Sequence, residues 1–286
     1  MASADDPTQR AGGLPRTIAD GARAVLSCPE PSAKAEKAAR LAGLVAAGDV
    51  TAIGTPGAPA KPARPSHLRE LAPKHMPRRR AAGSRAGRIA LYHALAHIEL
   101  NAVDLACDLV ARFADPALPA AFYADWVRIA AEEAHHFELL DGRLGAFGAA
   151  YGELPVHGGL WEAAANTGDD LLARLAVVPL VLEARGLDVT PDMIARLKRF
   201  GDDQGAAVLE LILNEEIGHV ACGWRWFRWL ADRRGLDAPS AWADLVRTRF
   251  KGDIKPPFNE AARAAAGFAV DWSALATGVG DGGPRR

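Results

Sequence analysis

The sequence predicts an all-α protein, and three observations support that prediction. Between residues 85 and 230, large apolar side chains recur every three or four positions, which is the period of helices that bury one face. The alternating runs and turn signals of β-hairpins are not found over any useful length. Hydrophobic residues make up 49% of the 286 positions, enough for a substantial core. A globular helical protein is therefore expected.

Residues 1–83 are predicted to form an N-terminal region that packs on the main helices. Short helices are expected at residues 17–26 and 32–47, with Ser32 as the N-cap of the second. Six prolines between residues 54 and 80 exclude a continuous helix there, so this part is predicted to be an extended arm.

The region after the main helices is also assigned from the sequence. Residues 233–273 are predicted to form a helical extension. Residues 274–286, which end in GVGDGGPRR, are predicted to be a disordered tail.

Composition excludes several classes of protein. The 34 Lys and Arg residues nearly balance 35 Asp and Glu, so no overall field attracts nucleic acid or an anionic membrane. Three scattered cysteines argue against a disulfide framework or a zinc ribbon. The longest apolar run, residues 175–182, is too short to cross a bilayer, and the N-terminus has no apolar signal segment. A soluble cytoplasmic protein with no membrane partner is expected.

The segment EEAHHFELL, residues 132–140, contains the first candidate site. The apolar stripe of the helix predicted here passes through Glu133 and His136. Their neighbours Glu132 and His135 lie about 100° away and are predicted to face solvent. At a spacing of three, the side chains of Glu133 and His136 project together and can hold one metal ion.

The Glu-x-x-His spacing occurs a second time in the chain. Glu216 and His219 repeat the Glu-x-x-His spacing on another apolar stripe, and each such helix follows a helix with one acid on its buried face. Glu99 precedes Glu133 by 34 positions, and Glu183 precedes Glu216 by 33. This regular spacing indicates an internal repeat of two helix pairs.

Four carboxylates and two imidazoles in one apolar interior would be very costly without a counter-charge. Two divalent cations balance the four negative charges and leave coordination positions open. The oxygen and nitrogen donors suit iron or manganese, and the set lacks the thiolates of structural zinc sites. A dinuclear metal centre is therefore predicted.

The pattern of Glu and Glu-x-x-His, repeated on four helices, resembles that of the ferritin-like di-iron carboxylate proteins. The phrases HALAHIELNAVDLACDLVARF, NEEIGHVACGWRWF and KPPFNEAARAAAGF also resemble an uncharacterised bacterial ferritin-like family, distantly similar to the tRNA hydroxylase that acts on methylthio-isopentenyl-adenosine. The resemblance covers residues 80–268. It implies a ferritin-like four-helix bundle at residues 84–232, with the N-terminal helices, the extended arm and helical connections added. It also implies these ligands: Glu99, Glu133, His136, Glu183, Glu216 and His219.

Three classes of function fit this interpretation. In the first, two metal ions activate O2 to oxidise an organic substrate, either a small molecule or a nucleoside in tRNA, with electrons from an unidentified donor. Iron is the expected metal, and manganese or a mixed Mn/Fe pair fits the same ligands. Proteins of the second class oxidise Fe(II) for storage. In the third class, the metal only stabilises the helical bundle and catalyses no reaction. The complete ligand set favours the oxygen-activating enzyme. The oligomeric state stays open, and a homodimer is compatible with the resemblance.

Five arginines occur within residues 77–88, directly before the first predicted metal helix. If the protein binds tRNA, this run from Arg78 to Arg88 is the candidate phosphate contact. The run contains no aromatic residue and the chain is nearly neutral, so pairing with acids on the protein surface is favoured.

Further residues carry structural expectations. A second polar stripe on the first metal helix is predicted to face solvent or a neighbouring segment: His93, His97, Asp104 and Asp108. Pro179, one turn before Glu183, is predicted to kink or widen its helix. Thr190 and Pro191 are predicted to begin a new helix as N-cap and first residue. The aromatic run at residues 224–229 is predicted to belong to the core or an interface.

Overall fold

The computed structural model describes residues 13–76 and 83–268, and the regular structure within them is helical, which confirms the all-α prediction. The α-helices are α1 (Ile18–Leu26), α2 (Pro31–Ala47), α3 (Arg85–Arg112), α4 (Ala120–Ala146), α5 (Gly159–Ala165), α6 (Leu171–Val177), α7 (Ala184–Arg199), α8 (Asp203–Arg233), α9 (Ala238–Arg249) and α10 (Glu260–Ala265). A 3-10 turn spans Pro73–His75 and a π-helical turn spans Val178–Glu183.

Within this described part, the β-structure amounts to one isolated bridge between Glu70 and Val156, and no strand is formed. None of the helices there has the length and apolarity needed to span a membrane. Two features of the sequence, the arginines at 78–80 and the predicted tail at 274–286, lie outside the described residues.

The two N-terminal helices predicted from the sequence are present, but the start of the second differs. Thr17 caps α1, because its hydroxyl accepts a hydrogen bond from the Asp20 N–H at 3.1 Å. α2 begins at Pro31, after Glu30, whose side chain makes no capping bond, so the prediction of Ser32 as N-cap was wrong. Proline suits the first position of this helix because its φ is fixed near the helical value. The N–H that proline lacks would have no partner within the helix there.

The chain divides into two compact units, and the division falls within α3 and α4. The first unit comprises Met1–Leu68 and Glu99–Glu138, and the second comprises Arg69–Ile98 and Leu139–Arg286. The first unit therefore combines α1 and α2 with half of α3 and most of α4. The second contains α5 to α10 and the remaining ends of α3 and α4. The domain limits predicted from the sequence remain predictions.

In the first unit, the N-terminal segment is fastened to α3 through the carboxylate of Asp104. The ammonium group of Lys34 on α2 and the guanidinium group of Arg64 both donate to Asp104, and Arg64 also donates to the Asn101 Oδ1 at 2.9 Å. Lys34 and Asp104 are fully buried. Burial lowers the pKa of Lys34, and the charge of Asp104 partly offsets this effect.

Asp108, one turn beyond Asp104, is also fully buried. It accepts a hydrogen bond from Arg112 at 2.7 Å, and Arg112 donates in turn to the Pro59 carbonyl at 3.3 Å. The sequence predicted that these acids face solvent or a neighbouring segment, and the structure shows contact with a neighbouring segment. The physical reason is that the proline-rich arm covers this face of α3, as the bond from the Gly57 N–H to the Ala111 carbonyl also shows.

His93 and His97 belong to the second unit and contact the connection that follows α4. The Nε2 of His93 accepts from the backbone N–H of Gly152 at 2.9 Å and of Leu154 at 3.3 Å. The Nδ1 of His97 lies 2.7 Å from the Tyr151 hydroxyl. Both imidazoles are buried, so they too contact a neighbouring segment as the sequence allowed. Burial lowers the pKa of His93 to about 4, against a weak opposing effect of Glu153.

The widening predicted at Pro179 is confirmed by the π-helical turn Val178–Glu183, which joins α6 to α7 in one continuous helical segment. Pro179 has no N–H to donate back along the helix, and the longer i to i+5 spacing accommodates it. The carbonyl of Ala176, three residues earlier, accepts a hydrogen bond from the Trp242 indole at 3.1 Å. A side chain of α9 thus supplies a donor to one backbone carbonyl close to the irregular turn.

Thr190 and Pro191 do not begin a new helix, because α7 runs through both residues. A proline inside a helix leaves the carbonyl four residues earlier without its usual donor. Here that carbonyl belongs to Leu187, and it accepts from the side-chain amide of Asn259 at 3.0 Å. A donor from the segment before α10 therefore lets the helix continue, and the predicted turn at this place was wrong.

Candidate metal centre

Three of the predicted ligands form a buried cluster in the first unit. Glu99 lies on α3, and Glu133 and His136 lie three positions apart on α4, with 7%, 1% and 0% of each residue exposed. The one-turn spacing brings both α4 side chains to the same face of the helix. The surrounding apolar residues of that face, among them Ile129 and Phe137, are buried as well.

The three side chains are close enough to share one ion. The Nδ1 of His136 lies 3.4 Å from the Glu133 Oε2 and 3.5 Å from the Glu99 Oε2. One candidate ligand atom from each of the three residues lies within 4.8 Å of the others. Two carboxylates and one imidazole thus converge on a space of the size that a coordinated cation occupies.

The electrostatics of this cluster favour a positive charge between the carboxylates. Burial by itself disfavours the charged form of His136, but the nearby carboxylates of Glu133 and Glu99 outweigh it and raise its pKa to about 11. The two carboxylates therefore favour the protonated form of His136. A divalent cation would supply the same compensation with more charge, so binding it should release that proton.

The donor atoms also fit a transition metal. Carboxylate oxygens and an imidazole nitrogen suit iron, manganese or zinc, and the cluster contains no thiolate to restrict the choice to softer ions. The residues of the first unit could therefore hold a metal ion.

The second Glu-x-x-His pair repeats this local geometry in the second unit. Glu216 and His219 on α8 are buried, and the His219 Nδ1 lies 3.3 Å from the Glu216 Oε2. The corresponding distance in α4 is 3.4 Å. The Glu-x-x-His pairs of α4 and α8 therefore have nearly the same internal distance.

A protein-family model described as "Protein of unknown function (DUF455)" matches residues 27–274. The chain belongs to the DUF455 family. The matched region contains the Glu99, Glu133 and His136 cluster and the Glu216 and His219 pair.

A relative of the DUF455 chain occurs in Haemophilus influenzae and is described as "Uncharacterized protein". The two are 40% identical over 210 residues, which are 71% of this chain and 73% of the relative. No solved structure matches the DUF455 chain.

Glu183, the remaining predicted ligand of the DUF455 protein, ends the π-helical turn and is half-buried. A π-helical turn changes the direction in which the residues after it project, compared with a regular helix. Sequence reasoning could therefore select Glu183 by its spacing but not fix its direction. Its role as a ligand stays a prediction.

The polar neighbours of the buried predicted ligands are less buried than the ligands themselves, and His135 is exposed as predicted. Glu132 is half-buried and pairs with Arg128 on the same helix, 2.5 Å away, and His135 is exposed. Glu215, beside Glu216, is half-buried. Glu132 and His135 therefore serve as matched controls for the buried Glu133 and His136.

The sequence reasoning missed the buried network around Asp104 and the contact between His97 and Tyr151. The sequence does contain a signal for the Asp104 network. The spacing of Ala35, Ala38 and Leu41 defines the buried face of α2, and Lys34 lies on that face. A lysine on such a face predicts an acid on the element that covers it.

Proposed function

We propose that this DUF455 protein is a ferritin-like dinuclear metal protein that activates O2 to oxidise an organic substrate. The observation that carries the proposal is the buried cluster of Glu99, Glu133 and His136, whose donor atoms lie within 4.8 Å of one another. Buried carboxylates that share an imidazole suit a redox-active cation better than they suit a stable core.

The proposed centre has six ligands, and the internal repeat supports the three that complete the set. Glu183, Glu216 and His219 correspond by spacing to Glu99, Glu133 and His136. The matching distances within the two Glu-x-x-His pairs support this correspondence. Four long helical segments, which are α3, α4, α8 and the segment from α6 to α7, support the ferritin-like four-helix bundle as the proposed architecture.

Each group of residues has a definite task in this proposal. The four carboxylates would hold and neutralise two dications, and each imidazole would supply a nitrogen donor. Buried apolar residues of α3 and α4, such as Val103, Ile129 and Phe137, exclude bulk water from their side of the centre. A pair of iron ions, or manganese in one or both positions, would supply the redox chemistry with O2.

The substrate is proposed as a small organic molecule or a modified nucleoside in tRNA, and electrons would come from a separate donor. The nucleoside alternative rests on the resemblance to the tRNA hydroxylase described above. A homodimer is part of the proposal as the assembly state, since helical bundles of this type bury apolar helix faces between copies.

Metal content and O2 consumption test the proposal. The full chain is expressed with iron and manganese, its metal content is measured, and O2 uptake is followed after anaerobic reduction. About two metals per chain with stoichiometric O2 uptake are expected from the six ligands. Glu133→Gln should lose metal and O2 uptake, whereas Glu132→Gln should keep both. His136→Ala and His135→Ala form a second matched pair.

Other outcomes separate the remaining functions. Uptake of far more than two irons per chain would indicate an iron-storage protein and not an oxidase. Tightly bound metal without O2 uptake would indicate that the metal only stabilises the fold. Unchanged metal content in both Glu133→Gln and His136→Ala would show that the ligand assignment is wrong.

A further inference from the structure

The second unit contains an open cleft of about 680 Å³ between α8, the start of α9 and the end of α10. This size lies within the range of roughly 300–1,000 Å³ that small-molecule sites occupy. The α8 wall presents two indoles, two guanidinium groups and a carboxylate: Trp224, Arg225, Arg228, Trp229 and Asp232. Leu236, Pro239 and Gly267 lie on other walls.

The cleft lies on a different face of α8 from the predicted metal ligand. Ala221, Arg225, Arg228 and Asp232 all line the cleft and are spaced four, three and four positions apart, so they share one face of the helix. His219 precedes Ala221 by two positions, which is about 200° around the helix axis. The cleft is therefore a site of its own and does not depend on the proposed metal chemistry.

The guanidinium groups offer a place for an anion. Arg225 and Arg228 are exposed and stand one turn apart. Arg225 packs over the Trp226 ring, with its Cζ 5.3 Å from the ring centre, which helps to hold it in place. Within the described part of the chain, Arg228 forms no ion pair. Arg225 also donates to the Cys222 Sγ at 3.6 Å. Two guanidinium groups one turn apart match the oxygens of a phosphate group.

The two acids that line the cleft differ in their hydrogen-bond partners. Asp237 accepts hydrogen bonds from the backbone N–H and the hydroxyl of Ser240, at 3.1 and 2.7 Å, and is committed to capping α9. Asp232 is exposed and makes no ion pair with any residue that the structure describes. Its carboxylate can accept hydrogen bonds from hydroxyl or amino groups of a ligand, but it repels a second anion.

The apolar part of the cleft suits a flat ring. Trp224 is almost buried against Phe227 and Phe268, while Trp229 is half-buried and Leu236 is 44% exposed. Arg233 already lies over the Trp229 ring, with its Cζ 4.8 Å from the ring centre, so a planar group of a ligand would stack on the other face of the indole and against Leu236. The cleft thus combines stacking surface, an anion site and one hydrogen-bond acceptor.

We propose that this cleft binds a nucleotide, with the phosphate at Arg225 and Arg228, the base against Trp229 and Leu236, and a sugar hydroxyl or base amino group donating to Asp232. A nucleotide joins an anion, a flat ring and hydrogen-bond donors in one small molecule. The source is either a free mononucleotide or one residue of an RNA strand.

Calorimetric titration of the full chain with AMP, adenosine and inorganic phosphate tests the proposal. AMP should bind about tenfold or more tightly than adenosine or phosphate, because only AMP offers both the ring and the anion. Arg228→Gln should remove most of the AMP advantage and leave adenosine binding unchanged. Trp229→Ala should weaken AMP and adenosine alike. Arg247→Gln, an exposed arginine of α9 that pairs with Asp244 and is outside the cleft, should change nothing.

A short oligoadenylate distinguishes the two sources. If it binds more tightly than AMP and Arg228→Gln weakens it, the site takes a residue of an RNA strand. If it binds no more tightly, the site takes a free nucleotide. The proposal is overturned if AMP does not bind, if phosphate alone binds as well as AMP, or if Arg228→Gln leaves AMP binding unchanged.

Discussion

The ring of Pro179 lies directly against Gly223 of α8. A Cβ atom built on Gly223 would stand 2.4 Å from the Cβ of Pro179 and 2.7 Å from its Cγ, closer than a real Cβ contact allows. The π-helical turn can approach α8 this closely because position 223 has no side chain. Since that turn ends at Glu183, the contact also fixes the path of the backbone that carries this predicted ligand.

Gly223→Ala should therefore destabilise the protein and disturb the π-helical turn. The added methyl group meets a rigid proline ring, and overpacking of this kind costs about 1–3 kcal/mol of unfolding free energy. Urea unfolding of the metal-free chain measures this cost. Gly218→Ala is the matched control on the same helix, because a Cβ there meets nothing within 4 Å. It should stabilise by ~0.5–1 kcal/mol. Equal stability of the two variants would contradict the account of the Pro179 contact.

Asp104→Ala should be strongly destabilising. The substitution leaves the fully buried Lys34 without its acid, and breaking a buried ion pair from one side costs about 3–5 kcal/mol. Urea unfolding measures the loss. Lys34→Met in the Asp104→Ala background should recover part of it, because the uncompensated charge is removed. Glu132→Gln, which breaks the exposed pair with Arg128, should cost less than about 1 kcal/mol. If Asp104→Ala also cost less than about 1 kcal/mol of unfolding free energy, this prediction would be contradicted.

Stability should decrease in acid because of His93. Its folded pKa of about 4 lies below the unfolded value near 6.5, so its contribution is complete above pH 6.5 and is lost as the pH falls to 4. Protonated His93 can no longer accept the N–H groups of Gly152 and Leu154. With allowance for solvent screening, the loss is about 2 kcal/mol.

The difference in unfolding free energy between the parent and His93→Phe, measured from pH 7 to pH 4, isolates this effect. The difference should shrink toward pH 4. His136 does not interfere, because its raised pKa acts in the opposite sense and only as the pH rises from about 6.5 toward 11. His135→Phe, at an exposed position, should show no such trend. A constant difference for His93→Phe would refute the prediction.

The buried positions of Glu133 and His136 could be predicted because they follow from the period of one helix. An acid and a histidine within an apolar stripe share its burial, whatever packs against it. The same reasoning placed His135 on the exposed side, as observed. Local periodicity therefore predicted the all-α class and the core of the candidate site.

The contacts that the sequence could not predict depend on distant partners. Pro191 remains inside α7 because Asn259 supplies a donor 72 positions after Leu187. Asp104 is buried because Lys34 and Arg64 reach it from the N-terminal segment. No local pattern contains these contacts, since they arise only when remote segments pack together. In each case the sequence showed a polar residue or a proline but not the group that compensates it.

The pairing of Lys34 with Asp104 has a consequence for the order in which the chain is made. The acid is synthesised 70 residues after the lysine. Until it has emerged from the ribosome, the ammonium group keeps its hydration, because burying it alone is too costly. α1 and α2 can form early, yet their final packing awaits α3. Co-translational folding of this N-terminal region is thus delayed until well over one third of the protein has been translated.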